Sequence, residues 1–160
     1  MTPDLLEPSL AAVDGLTGYD AVCVLITEDE RPLEGAAGFI DWRLGGALSR
    51  VLQSGFFVGT PGEKLLVPTD QKLPAPRLFA MGLGPRKGVT PLGVEHALTA
   101  AATMVTKAGM KSVALSVSRV PQLDDTAMAS LVTRAFLPGV SGQKVAVFAD
   151  KSLRAQLASR

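Results

Sequence analysis

The 160-residue sequence holds one cysteine, one histidine, one tryptophan, one tyrosine and six phenylalanines. The lone Cys23 rules out an intramolecular disulfide, and its place in the apolar run Ala21-Val22-Cys23-Val24-Leu25-Ile26 makes it a small hydrophobe rather than an accessible thiolate. One histidine cannot make the paired spacing of a zinc site. It also leaves the serines a single imidazole base and no Gly-x-Ser-x-Gly elbow, so neither a metal site nor a serine triad is expected. The few aromatics do not interleave with basic residues, which removes a stacking platform for nucleic acid. No stretch approaches the roughly 20 apolar residues that span a bilayer, and Met1-Thr2-Pro3-Asp4 lacks the basic-then-apolar start of a secretory signal. A reducing cytoplasm is the expected compartment, with no membrane partner.

Net charge is also nearly absent: 16 Lys+Arg face 15 Asp+Glu. That balance excludes a protein whose main business is coating nucleic acid or anionic membrane, while a local patch stays open. With 47% hydrophobic and 19% charged residues the chain is not of disordered composition, and its length suits one domain. The neutrality hides a division, since residues 1–41 carry nine acids and one base, and residues 42–160 carry fifteen bases and six acids. Either the two sets interleave on the folded surface, or the molecule is bipolar and stacks on copies of itself.

Apolar runs of strand length alternate with segments of helical period, the pattern of an α/β domain with a covered sheet. Strands are expected at 9–13, 21–27, 64–67, 77–83, 111–117 and 144–149. Helices are expected at 44–54, with Gly55 as C′; from a Thr90 cap with Pro91 to Gly109, burying Val94, Ala97, Leu98, Ala101, Met104, Val105 and Ala108; from Asp124 or Asp125 to Pro138-Gly139; and after an Asp150 cap, using Leu153 and Leu157.

Two groups of residues are candidates for function. The first is the stretch Gly82, Gly84, Arg86, Lys87 and Gly88, which leaves a strand and enters a helix. It reads either as a ligand loop, with free N–H groups and two cations for phosphate, or as a tight connection that needs positive φ. It matches neither a Walker A loop nor Gly-x-Gly-x-x-Gly. The second group is Trp42, Arg43, Phe56 and Phe57, residue types enriched at protein interfaces, whose alternative is ordinary packing. His96 shares a polar helix face with Thr99, Thr103 and Lys107 and reads as a surface residue. Glu28-Asp29-Glu30 reads as an exposed acidic turn, and Asp124-Asp125 as a helix start.

A more specific signal runs through Pro32-Leu33-Glu34-Gly35-Ala36-Ala37-Gly38-Phe39-Ile40-Asp41, Leu44-Gly45-Gly46-Ala47-Leu48, Gly55-Phe56-Phe57-Val58-Gly59, Gly62-Glu63-Lys64-Leu65-Leu66-Val67 and Pro76-Arg77-Leu78-Phe79-Ala80-Met81-Gly82-Leu83-Gly84. In residues and in order these motifs resemble the amino-terminal domain of the cytosolic leucyl aminopeptidases. The resemblance implies a macro-domain-like three-layer α/β/α fold with a mixed central sheet. It also implies that catalysis, with two divalent metal ions and the motif Asn-Thr-Asp-Ala-Glu-Gly-Arg, belongs to a separate carboxy-terminal domain. That motif is not in these 160 residues, so no catalytic or metal-binding residue of the family transfers to a position here, and no cofactor is expected. The expectation is a non-catalytic interaction or assembly module, forming a homo-oligomer or holding a protein partner. Its alternatives are a macro-like nucleotide or ADP-ribose binder and the regulatory part of a split metallo-aminopeptidase.

Overall fold

The computed structural model describes residues 2–160. Six strands form one mixed sheet: β1 (Asp4–Leu6), β2 (Ala21–Ile26), β3 (Lys64–Pro68), β4 (Arg77–Gly82), β5 (Ser112–Val117) and β6 (Lys144–Phe148). Their order across the sheet is β1-β6-β5-β2-β4-β3, with every pair parallel except β3–β4. β2 is buried at all six positions because helices cover both faces of the sheet's centre. One layer holds α1 (Leu10–Asp14), α2 (Gly35–Arg43) and α3 (Ala47–Ser54), packed on Val22, Val24, Ile26, Leu78 and Ala80. The other holds α4 (Pro91–Lys107), α5 (Asp125–Leu131) with its π and 3-10 turns to Val140, and α6 (Lys151–Ala158), packed on Cys23, Leu25, Phe79, Met81 and Leu115. Together these make a three-layer α/β/α domain of the macro-domain-like kind.

Most expected elements are present, with the following differences. The segment 9–13 is not a strand: the Ser9 hydroxyl accepts from Ala12 N at 3.1 Å and starts α1, while the edge strand lies earlier, at β1. The helix expected from Leu44 begins at Ala47, because Gly45 and Gly46 take φ of 64° and 81° and interrupt it. Ahead of that break, α2 is a separate helix. Ala108 is exposed just past the last turn of α4.

The two halves of the chain supply the two layers, so the charge division is also spatial. Residues 8–62, which build the α1–α3 layer, carry seven acids and three bases; residues 84–160, which build the α4–α6 layer, carry four acids and ten bases.

Candidate functional site

The parallel strands β2, β4, β5 and β6 end on the same edge of the sheet. From β2 the chain turns into the α1–α3 layer and from β5 into the α4–α6 layer, so a crevice opens where the connections diverge, the usual place for a ligand in such sheets. It has a volume of about 360 Å³, and its polar lining includes Glu7, Glu34, Ser118, Arg119, Asp150 and Lys151. Glu34 precedes α2 in extended conformation without a side-chain cap, and the first-turn residues Gly35 and Ala36 border the crevice. The first turn of α2, whose N–H groups have no side-chain cap, therefore borders the space.

Arg119 is already engaged. It lies 2.8 Å from Asp125 and also pairs with Asp150, so it ties the start of α5 to the start of α6. Burial acts upward on the Asp150 carboxyl, but the Leu153 N–H, Arg119 and Ser152 outweigh it and hold its pKa below the ordinary value. Glu34 has Arg86 at 3.6 Å. Uncommitted charge in the crevice comes down to Glu7 against Lys151.

The glycine stretch beside it is a structural junction. Gly82, Leu83, Gly84, Arg86 and Gly88 donate their N–H groups to Glu63 O, Ile26 O, Gly59 O, Asp29 Oδ1 and Pro85 O, at 2.8 to 2.9 Å. A Cβ on Gly82 would lie 2.1 Å from the Thr60 carbonyl oxygen, and one on Gly84, where φ is +86°, would lie 2.7 Å from Pro61 Cγ. These five donors are spent on β2, the neighbouring 59–63 hairpin, the acidic turn and the loop itself. That hairpin is shaped by Glu63, whose Oε1 accepts from Val58, Gly59 and Thr60 N at 2.9 to 3.1 Å. The acidic turn is only partly exposed: Glu30 is buried, and its Oε2 accepts from Glu34 N at 3.0 Å.

The four interface candidates separate. Phe57 is 1% exposed and belongs to the core of the α1–α3 layer, a correction that follows from the turn sending adjacent side chains in opposite directions. Phe56 is 78% exposed and Trp42 is 73% exposed. Arg43 makes a bidentate pair with Asp14 at 2.8 and 2.7 Å, which joins α2 to α1. The sequence reading missed Phe39, 38% exposed, because α2 was not read as a helix. On that helix Gly35, Gly38, Phe39 and Trp42 fall at i, i+3, i+4 and i+7 and share one face. The Trp42 side chain is a ridge between two hollows of about 510 and 630 Å³, one lined by Leu10, Leu33 and Gly35, the other by Pro32, Asp41 and Gly46.

Among the described residues no group of three His, Cys, Asp or Glu side chains is placed to hold a metal ion. His96 is exposed on α4, and burial pushes the Cys23 thiol up to about 12. No helix is long and apolar enough to cross a membrane, among the described residues.

These features define a macro-domain-like α/β domain with a charge-lined edge crevice and, among the described residues, an exposed aromatic face on α2. Residues 22–140 match the N-terminal domain of the cytosol aminopeptidase family, and the chain belongs to that family. A probable cytosol aminopeptidase of Pseudomonas syringae pv. tomato is 38% identical over 79 residues, 49% of this chain and 16% of that protein. A tomato leucine aminopeptidase mutant superposes with a TM-score of 0.63 at 16% identity, over 99% of this chain and 35% of that one. The Trypanosoma brucei macrodomain in complex with ADP-ribose superposes with a TM-score of 0.71 at 17% identity, over 97% of this chain and 67% of that one. The chain thus spans a minor part of the aminopeptidases it resembles.

Proposed function

We propose that this domain works by binding protein rather than by catalysis, as a cytoplasmic docking or assembly module of the aminopeptidase kind. The supporting observation is the α2 face: a tryptophan 73% exposed, with Phe39 beside it and glycine-lined hollows on both sides, is the anatomy of an interface anchor. A solitary exposed apolar residue needs no explanation, but an aromatic pair on a helix flanked by concave surface does. The test is affinity capture with the wild-type domain and with Trp42→Ala, followed by light scattering of each. Loss of a specific complex with the variant is the expected result; a wild type that is strictly monomeric and holds no partner sinks the reading.

A second reading, a nucleotide or ADP-ribose in the edge crevice, draws on the uncapped start of α2 with Arg119 and Lys151 nearby, and on the macrodomain that holds ADP-ribose. Against it stand the engagement of Arg119 and the carboxylates Glu7 and Glu34 on the same lining. Thermal shift decides it, since ligand at 100 times its Kd stabilises by about 2.7 kcal/mol. No shift with ADP-ribose or nucleotides removes it.

A further inference from the structure

The strand β3 is one edge of the sheet, and half of its main chain has no partner. In the antiparallel pairing with β4, Glu63 O accepts from Gly82 N and Thr69 N donates to Pro76 O, both at 2.9 Å. Bonding residues alternate along such a pair, so positions 63, 65, 67 and 69 face β4. Lys64 and Leu66 therefore turn both N–H and C=O outward, and Pro68 turns out its C=O alone because it has no N–H. Among the described residues none bonds to these groups. Lys64, Leu66 and Pro68 are all exposed, Leu66 by 53%, so the edge is open along its length. At the opposite edge β1 is three residues long and offers less to pair with.

Such an edge takes an extended strand, and its own sequence is self-complementary there. When two copies of β3 meet antiparallel about a two-fold axis at Leu66, the two leucines face each other and exchange both N–H···O=C bonds. Lys64 N–H of each copy then meets Pro68 C=O of the other. Every outward donor is used, and the N–H that proline lacks falls at the ends of the contact, where water reaches the Lys64 carbonyl. The side chains agree with this register. On one face Leu66 meets Leu66 and Lys64 meets Pro68; on the other Leu65 meets Val67. No charge faces its like, whereas a parallel pairing in register would set Lys64 beside Lys64. Along the same edge a hollow of about 240 Å³, lined in part by Ala47, Val51, Leu65, Val67 and Pro68, leaves apolar surface for the added strand to cover.

We infer that a second copy of this chain pairs its β3 with β3, edge to edge, so that one sheet runs through both copies. The contact is isologous and closes at a dimer. It uses no residue of the α2 face, so it goes beyond the docking role proposed above, and the two can fail separately.

Sedimentation of the whole chain tests it, as wild type, Leu66→Glu, Leu66→Lys and Trp42→Ala. Leu66 is exposed and its N–H is not used by β4, so both variants at this position should fold, which a cooperative melt checks. Wild type should be a dimer. Each Leu66 variant alone should lose roughly tenfold or more in affinity, because like charges then face each other across the axis. An equal mixture of the two should dimerise again at low salt, since only a strand paired with itself at Leu66 sets Glu against Lys. In wild type, amide exchange at Leu66 should slow as the dimer forms. A mixture no more associated than its parts overturns the two-fold register. A dimer that survives both Leu66 variants lies elsewhere and overturns the edge contact; if Trp42→Ala abolishes that dimer, the docking role of α2 stands. A monomeric wild type overturns the second copy, and so does Leu66 protection that appears only when another, identified protein is bound.

Discussion

At the residue scale, glycines and buried polar groups set what this fold tolerates. Gly82→Ala would drive a Cβ into the Thr60 carbonyl, an obstacle of backbone rather than flexible side chain, and should cost about 3 kcal/mol or more in urea unfolding. Tyr19 gives a pH signature. Its hydroxyl donates to Asp4 at 3.0 Å, Lys144 sits 4.3 Å above its ring, and its pKa is pushed up to about 12, first by burial and then by Asp4. A folded-state value above the unfolded one favours the neutral phenol, so this stability is intact below pH ~10 and falls as pH rises toward 12. Tyr19→Phe should flatten that alkaline decline in a pH series of melting temperatures. Glu63 has the opposite sign: burial raises its pKa, but the Val58, Thr60 and Gly59 donors win and lower it. Its contribution is present above the unfolded carboxylate value and is lost as pH falls through the lower folded one; Glu63→Gln should shrink the acid limb of the same series. Which residues would matter was only partly legible. Phe56 and Phe57 are neighbours of the same type, and only the turn geometry decides that one is core and the other surface.

At the element scale, local signals were reliable where a cap and a period agreed. The Thr90, Asp124 and Asp150 caps were readable because each side chain accepts from the N–H three residues on, at 2.8 to 3.1 Å, just before an apolar stripe. The α2 helix was not readable, since Gly35 and Gly38 depress helix propensity and its exposed face is apolar, which blurs the amphipathic period. The start of α3 was misplaced for a different reason: its cap is not adjacent in sequence. Asp41, at the end of α2, reaches over Gly45-Gly46 and accepts from Leu48 and Ser49 N at 2.9 and 3.1 Å. Asp41→Ala should therefore cost about 1 kcal/mol by chemical denaturation and loosen the α2–α3 corner, read as faster amide exchange at Leu48 and Ser49.

At the scale of the whole molecule, sequence periodicity announced an α/β sheet, and the motifs of the 32–84 region pointed to its type. The strand order was not in any window of residues, because it depends on which layer each crossover takes. The candidate site shared that limit: the crevice draws on residues from Glu7 to Leu153, which no local pattern brings together. The charge division was visible as a count, while its placement on opposite layers required the topology. The same topology orders events in time. β1 (Asp4–Leu6) finds its parallel partner only at Ala146–Phe148, near the far end of the chain. A ribosome therefore releases the first strand long before the strand that must receive it has been made. Until then Leu5 and Leu6 have no sheet to join, and their amides should be the last to gain exchange protection during refolding.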